Sequence, residues 1–394
     1  MIIRKCSVQQ TDVAGKRVFL RLDLNVPIAD GRVTDEERII ASLPTLRYLL
    51  ERDCRVVAAS HLGRPKGKPD PAYSLRPVAA RLAERLGRPI AMAPDCVGTE
   101  TERLAAALTP GSCLLLENLR FHAQEEKNDP DFARSLAALG EVYVNDAFSA
   151  SHRKHASVVG IVDHLKVAVA GLQMQKEIES LSRVLLNPPK PYAAVLGGVK
   201  VADKVPLIET LLLKVDRVLL GGAMAYSFLA ARDVPVGDFP VEAATVDTAR
   251  ALLKKAGDLN VGIYLPVDHR VVRSGGAGPS SDTPNERIDP GWVGVDIGPR
   301  TEQAFSEVLR ACHCILWNGP LGWFEKGFSS GTQAVAEAAV QGSAFTVAGG
   351  GDTAAVMNQL GLASRFSHLS TGGGAALEFL SGGALPGIQS LNDC

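Results

Sequence analysis

Aromatic residues make up only 5% of this 394-residue chain, and three of them are tryptophan. Single-strand binders need aromatic platforms beside cations, and nucleic-acid binders in general show a broad basic face. Here 42 Lys and Arg stand against 43 Asp and Glu, a formal net charge of −1. Both counts speak against a nucleic-acid or membrane-surface partner, while leaving room for a local basic patch. Long apolar runs are also missing. No uncharged stretch approaches the ~18 residues of a membrane-spanning helix, and Met1-Ile-Ile-Arg-Lys-Cys6 lacks the apolar core of a signal peptide. The seven cysteines are scattered without a paired framework. Cys312 and Cys314 form a lone C-x-C inside an apolar run and read as buried strand thiols, not metal ligands. The expectation is a soluble, reduced, cytoplasmic protein.

Two phosphate-binding signatures are absent as well. The apolar run 344–348 leads into Gly349-Gly-Gly-Asp352 and then a helix-like stretch over 354–362, but no Lys-Ser/Thr follows the glycines. It is therefore not a Walker A loop. A clean G-x-G-x-x-G after the first strand is also lacking, which counts against a dinucleotide-dependent oxidoreductase. The turn does offer backbone amides at a helix N-terminus, where the dipole favours an anion. Asp352 suits either a magnesium ion held against a phosphate or the helix N-cap. On this segment alone both readings stand.

A chain this long predicts two domains. Short Val/Ile/Leu-rich runs recur at 17–24, 55–60, 89–93, 112–117, 141–145 and 166–170. A second series follows at 192–196, 217–220, 262–265, 312–317, 344–348 and 366–370. They are continuous rather than alternating, and helix-like segments separate them. This predicts parallel strands covered on both faces, hence an α/β fold of two doubly wound, Rossmann-like domains. Pro188-Pro189-Lys190-Pro191 reads as a rigid stop, and the junction is placed near 170–190.

Ligands of such sheets bind beyond the carboxyl ends of the strands. In the first half these ends carry Asp23, Asn25, His61, Arg64, Glu117, Arg120 and Asp146. In the second they carry Gly197-Gly198, Gly221-Gly222, Asn318-Gly319-Pro320, Gly349-Gly350-Gly351 and Gly372-Gly373-Gly374. Thr34-Asp-Glu-Glu37 reads as a capping box. It would leave Arg38 in the early turns of a helix, where the dipole disfavours a cation, so that an anion or its acidic neighbours must hold it. Arg153 lies in the basic cluster Ser151-His-Arg-Lys-His155. Guanidinium forks match phosphate and carboxylate. His152 and His155 serve either that anion or loop geometry; no carboxylate or thiol completes a metal set around them. If a helix begins near residue 199, Lys200 and Lys204 fall one turn apart and repel. A transferring phosphoryl group would offset that, and an exposed lysine pair is the plainer alternative.

Over essentially its whole length the chain resembles the phosphoglycerate kinase family. The resemblance is carried by Phe19-Leu-Arg-Leu-Asp-Leu-Asn-Val-Pro27, Ser60-His-Leu-Gly-Arg-Pro65, Leu116-Glu-Asn-Leu-Arg-Phe121 and Val144-Asn-Asp-Ala-Phe-Ser149. Further blocks are Leu196-Gly-Gly-Val-Lys-Val-Ala-Asp-Lys204, Leu316-Trp-Asn-Gly-Pro-Leu-Gly-Trp-Phe-Glu325, Gly349-Gly-Gly-Asp-Thr353 and Ser370-Thr-Gly-Gly-Gly-Ala375. It implies reversible phosphoryl transfer from 1,3-bisphosphoglycerate to Mg-ADP, giving 3-phosphoglycerate and ATP, by a monomer whose two domains close about a hinged cleft. It assigns 1–170 to phosphoglycerate and 171–377 to nucleotide, with 378–394 crossing back. Asp23, Asn25, Arg38, His61, Arg64, Arg120 and Arg153 would bind phosphoglycerate. Gly197, Gly198, Lys200, Lys204, Gly221, Gly222, Asn318, Pro320, Glu325, Gly349, Gly350, Gly351, Asp352 and Thr353 would hold the nucleotide, with Mg2+ on Asp352. Arg38, Lys200, Lys204, Gly350 and Gly351 would act on the transferring group. Such chemistry needs no general base, because both nucleophiles are already ionised; it needs in-line placement and neutralised charge. A catalytically silent nucleotide binder would have shed Arg38, Lys200 or Asp352, and all three are present. Val199 and Trp323 replace smaller residues usual in the family, and His269-Arg270 stands where apolar residues are usual.

Overall fold

Each of the twelve apolar runs contributes a strand, because helices on both faces of a parallel sheet leave no position facing water. In the computed structural model, which describes residues 4–275 and 279–394, the chain divides into two units. Unit 1 is Met1–Glu179 with Ala384–Cys394, and unit 2 is Ser180–Gly383.

Unit 1 holds β1 (Arg17–Arg21), β2 (Arg55–Ala59), β3 (Ala91–Met92), β4 (Cys113–Leu115), β5 (Val142–Asn145) and β6 (Ala168–Ala170). They form one parallel sheet in the order β3-β4-β2-β1-β5-β6. Helix Glu37–Leu50 buries Ile39, Leu43, Leu46, Leu49 and Leu50, a stripe at three- and four-residue spacing. These pack with Val18, Leu20, Val56, Leu115 and Val144 in the core. The capping box expected at 34–37 does not form. Glu36 is the N-cap and its side chain makes no cap bond. Its carboxylate is taken instead by Arg85, at 2.6 Å from Nε, and by Arg81.

The segment Ala384–Cys394 returns to unit 1. Asn392 N–H donates to Ala168 O at 2.8 Å, Cys6 N–H donates to Asn392 O at 2.9 Å, and Lys5 pairs with Asp393 at 2.6 Å. A disulfide joins Cys6 to Cys394, which corrects the expectation of wholly unpaired cysteines. The other five are free and buried, as anticipated for Cys312 and Cys314.

Unit 2 holds β7 (Tyr192–Leu196), β8 (Arg217–Leu220), β9 (Gly262–Tyr264), β10 (His269–Arg273), β11 (Ser281–Asp282), β12 (Trp292–Ile297), β13 (Cys314–Asn318), β14 (Phe345–Gly349) and β15 (His368–Ser370). Six of these make a parallel sheet in the order β9-β8-β7-β13-β14-β15. Counted along the chain within that sheet, the order is 3-2-1-4-5-6, that of dinucleotide-binding folds, with its switch point between β7 and β13. Unit 1 differs, since its fourth strand is inserted between the second and third.

A separate antiparallel sheet, β11-β10-β12, was not anticipated. Its central strand buries His269 and Val271 and leaves Arg270 and Val272 half-buried and Arg273 exposed, so it never shows a continuous apolar run. It accounts for His269-Arg270. His269 Nε2 lies 3.1 Å from Glu286 O, and Arg270 pairs with Asp282 at 3.1 Å across the strands.

Candidate active site

In unit 1 the candidate side chains leave the ends of β1, β2, β4 and β5, where the carbonyl ends of parallel strands open into loops. Asp23, buried just past β1, accepts from Arg38 Nη1 at 3.2 Å and from Ser149. The same Arg38 nitrogen donates to Asn25 O at 3.0 Å, and Asn25 Oδ1 accepts from Gly63 N–H at 2.9 Å. Arg120, also buried, donates from Nη1 to Gly63 O at 2.7 Å, while Glu126 lies 3.4 Å from its Nε without hydrogen-bond geometry. Arg64 is exposed, and Arg153 donates from Nε to His152 at 3.2 Å. The loop carrying Arg153 is braced from behind, where Gly387 N–H donates to Ser151 O at 2.8 Å.

His61 records how closely these cations gather. Burial, and then the charges of Arg21, Arg120, Arg153 and Arg38, hold its ring well below the ordinary histidine value. Burial and Arg153 likewise bring Arg120 down to about 10, and His155 falls to about 3 through burial and Arg21. Like charges packed this tightly are destabilised until an anion arrives.

Sequence reasoning missed Arg21. It is fully buried at the end of β1, donating from Nε to Ser157 Oγ at 2.9 Å and from Nη1 to Leu22 O. Its Nη2 lies 3.1 Å from His61 Nδ1. Behind it Glu125, also fully buried, accepts from Ser157 Oγ at 2.6 Å. A signal existed, since a charged residue inside the apolar run 17–24 must find partners or unfold the strand.

In unit 2 the loops after β7 and β13 meet backbone to backbone at the switch point. A Cβ on Gly197 would lie 2.0 Å from Pro320 O, so no other residue fits there. Asn318, buried at the end of β13, accepts from Lys204 Nζ and donates from Nδ2 to Gly349 O at 2.6 Å. Thr353 Oγ1 accepts from Gly319 N–H at 2.7 Å and donates to Gly349 O at 2.9 Å. Burial lowers Lys204 to about 8, against the opposing charge of Asp352. Helix Gly351–Gln359 begins here with Gly350 as its N-cap, at φ 110°. This corrects the N-cap reading of Asp352, which lies in the first turn and borders a cavity. That cavity, of about 260 Å³, is also lined by Gly198, Gly222, Pro320 and Glu325.

The lysine geometry needs correction too. Residues Ala202–Lys204 form a 3-10 turn and the α-helix starts only at Val205. Lys200 therefore sits exposed in the preceding loop, not one helical turn from Lys204. Gly351 has open space where a Cβ would stand and Gly349 would make only ordinary contact with Ser370 at 3.6 Å, whereas Gly221 meets Leu321 at 2.6 Å and Gly222 meets Gly198 N at 2.6 Å.

Residues 8–383 match the family model described as phosphoglycerate kinase. The chain belongs to the phosphoglycerate kinase family. The phosphoglycerate kinase of Solibacter usitatus is 50% identical over 392 residues, covering 98% of this chain and 99% of that one. The cytosolic phosphoglycerate kinase of Triticum aestivum is 47% identical over 390 residues, with 98% and 97% covered. The solved structure of phosphoglycerate kinase from Coxiella burnetii superposes with a TM-score of 0.88 at 38% identity, covering 98% of both chains. Membership in the phosphoglycerate kinase family makes this chain a glycolytic phosphotransferase that uses a nucleotide substrate. Among its described residues no helix is long and apolar enough to cross a membrane.

Proposed function

We propose that unit 1 holds 3-phosphoglycerate or 1,3-bisphosphoglycerate and unit 2 holds ADP or ATP, for reversible transfer of the acyl phosphate. The observation that carries this is the crowding of Arg21, Arg38, Arg120 and Arg153 around His61 with Asp23 as their near carboxylate. Such a site is complete only with a multiply charged anion. Arg38, Arg64, Arg120 and Arg153 offer forks to its phosphate and carboxylate, while Asp23 and Asn25 orient Arg38.

On the nucleotide side Lys204, Asn318 and Thr353 stand beside Gly350 and Gly351, whose amides open the helix toward a phosphate. Glu325 faces the ribose. Asp352 offers a hard carboxylate oxygen at the cavity wall, a donor that suits magnesium. There Asp352 would hold magnesium carried in with the nucleotide, and the ion would supply positive charge to offset the charge developing on the phosphates. Lys200, unencumbered on its loop, supplies a mobile charge to the transferring group. In-line transfer needs donor and acceptor oxygens on opposite sides of one phosphorus, so the two ligands must meet for turnover. The protein acts as a cytoplasmic monomer.

The test is a coupled assay of ATP-dependent 3-phosphoglycerate phosphorylation, with and without magnesium. Activity that requires both is expected. Arg38→Ala or Lys200→Ala should lower turnover at least a hundredfold while ADP still binds. A folded sample without activity, or both variants near wild-type turnover, overturns the assignment.

A further inference from the structure

Two loops of unit 1 bring a carboxylate, a thiol and an imidazole together. Asp95 and Cys96 follow β3, the rim strand of the parallel sheet. His122 precedes the short helix Ala123–Glu126 as its N-cap. One possible ligand atom from each residue lies within 4.8 Å of the other two.

Asp95 Oδ1 lies 2.7 Å from His122 Nε2, and a pair of that kind at a surface is ordinary. What decides is the third group. Cys96 is fully buried, whereas the side chains of Asp95 and His122 are 47% and 24% exposed. The cluster runs from solvent inward to a sulfur, which leaves an ion a way in. Its members are also held in place. The Asp95 carboxylate accepts from Cys96 N–H at 2.6 Å, and Asp95 O accepts from Thr101 Oγ1 at 3.0 Å. The His122 ring stacks on Phe132, with centroids 5.1 Å apart.

Thiolate sulfur, imidazole nitrogen and carboxylate oxygen are the donors zinc takes. At bond lengths of about 2.0–2.3 Å, its tetrahedral ligand atoms stand roughly 3.3–3.7 Å apart. Small rotations of the two exposed side chains reach such spacings. Three protein ligands leave a fourth position to water. Burial, then the charge of Asp95, keeps the Cys96 sulfur a thiol; a metal ion takes that proton's place, since the thiolate is the ligand. Thiolate and carboxylate together then offset a dication. Hard ions such as magnesium prefer oxygen and are poor partners for sulfur.

We propose that Asp95, Cys96 and His122 form a binding site for zinc or a similar borderline-soft divalent cation. The site is separate from the magnesium proposed at Asp352. His122 stands two residues beyond Arg120, so the ion ties the loop after β3 to the segment that carries this buried arginine.

Cobalt(II) is the probe, because thiolate ligation gives it a near-ultraviolet charge-transfer band. It is titrated into the metal-stripped full chain, disulfide intact and without nucleotide. One cobalt per chain, the band, and displacement by zinc but not by excess magnesium are expected. Cys96→Ser should abolish the band. His122→Gln and Asp95→Asn should each weaken binding about tenfold or more, since even residues that only support a ligand cost that much. Cys54→Ser, which keeps a donor to Val13 O, should bind as wild type does. A folded wild type without the band, uptake seen only at millimolar metal, or a band that survives Cys96→Ser overturns the site. If Cys96→Ser fails to fold, the other two ligand variants decide, and wild-type affinity in both overturns it equally.

Discussion

Arg21 fixes the tautomer of His61. A guanidinium has only donors, so with Arg21 Nη2 at 3.1 Å His61 Nδ1 must accept. The ring is then neutral, with its proton on Nε2, the state in which it could donate to the proposed phosphoglycerate. Depression of the His61 pKa by burial and four arginines fits the same protonation state.

Arg21→Met should therefore release the ring. Nitrogen NMR should show Nε2–H alone in wild type and a tautomer mixture in the variant, with the His61 pKa rising toward the ordinary ~6.5. Affinity for 3-phosphoglycerate should fall about tenfold, by ~1.4 kcal/mol, and become pH-dependent near the new pKa. A variant whose His61 tautomer and titration match wild type would remove Arg21 from this role.

Lys204 gives a pH signature of its own. With its ammonium at about 8, the charge proposed to attract phosphate is present below that pH and lost above it. ADP affinity measured by calorimetry should hold steady up to pH 8 and then weaken by at most about tenfold per unit. Bound phosphate favours the charged form, so the complex should keep its proton to higher pH. Lys204→Arg, which cannot titrate in this range, should flatten the profile; an unchanged slope would show that another group titrates.

The disulfide closes a sequence separation of 388 residues. Restricting the unfolded chain over so long a loop stabilises by about 2–4 kcal/mol. Cys394→Ser, or reduction, should lower the melting temperature by roughly 5–10 °C. Cys394→Ser should also become indifferent to dithiol reductants. Identical melting of wild type with and without reductant would argue that the bond adds nothing in solution.

Gly197→Ala probes the switch point. The added methyl would fall 2.0 Å from Pro320 O, and backbone on both sides leaves it nowhere to go. Overpacking of this kind costs about 1–3 kcal/mol. Urea unfolding should show that loss, with weaker ADP binding as the two loops separate. Gly351→Ala, where a Cβ meets nothing within 4 Å, is the matched control and should spare stability.

The strands of the two parallel sheets were legible because each is a short, continuous apolar run, a pattern set by local burial on two faces. Strand-end groups such as Asp23, His61 and Asn318 were legible for the same reason, since a polar residue straight after an apolar run marks where the sheet meets solvent. What was not legible depends on partners far away in the chain. The helix after Lys200 starts late because Gly197, Gly198 and Pro320 fix the loop before it, with Gly198 N–H donating to Pro320 O at 2.9 Å. The Thr34–Glu37 capping box does not close because Thr34 Oγ1 donates to Pro27 O at 3.3 Å and the helix starts only at Glu37, after Glu36, whose carboxylate Arg81 and Arg85 hold. Arg21 looks like an isolated charge until Ser157, 136 residues on, is seen to receive it. Nothing local to Cys6 points to Cys394, and the half-exposed β10 resembles loop.

The return of residues 384–394 also guards a border. Strand β6 lies at the rim of its sheet, and a bare rim of unpaired amides and carbonyls invites another chain to add a strand. Here Ala168 and Ala170 spend those groups on Asn392 and Cys6, with Ala170 N–H donating to Cys6 O at 2.8 Å. Removing the segment would do more than loosen unit 1; it would uncover a template, and self-association at the β6 rim is the failure to look for first.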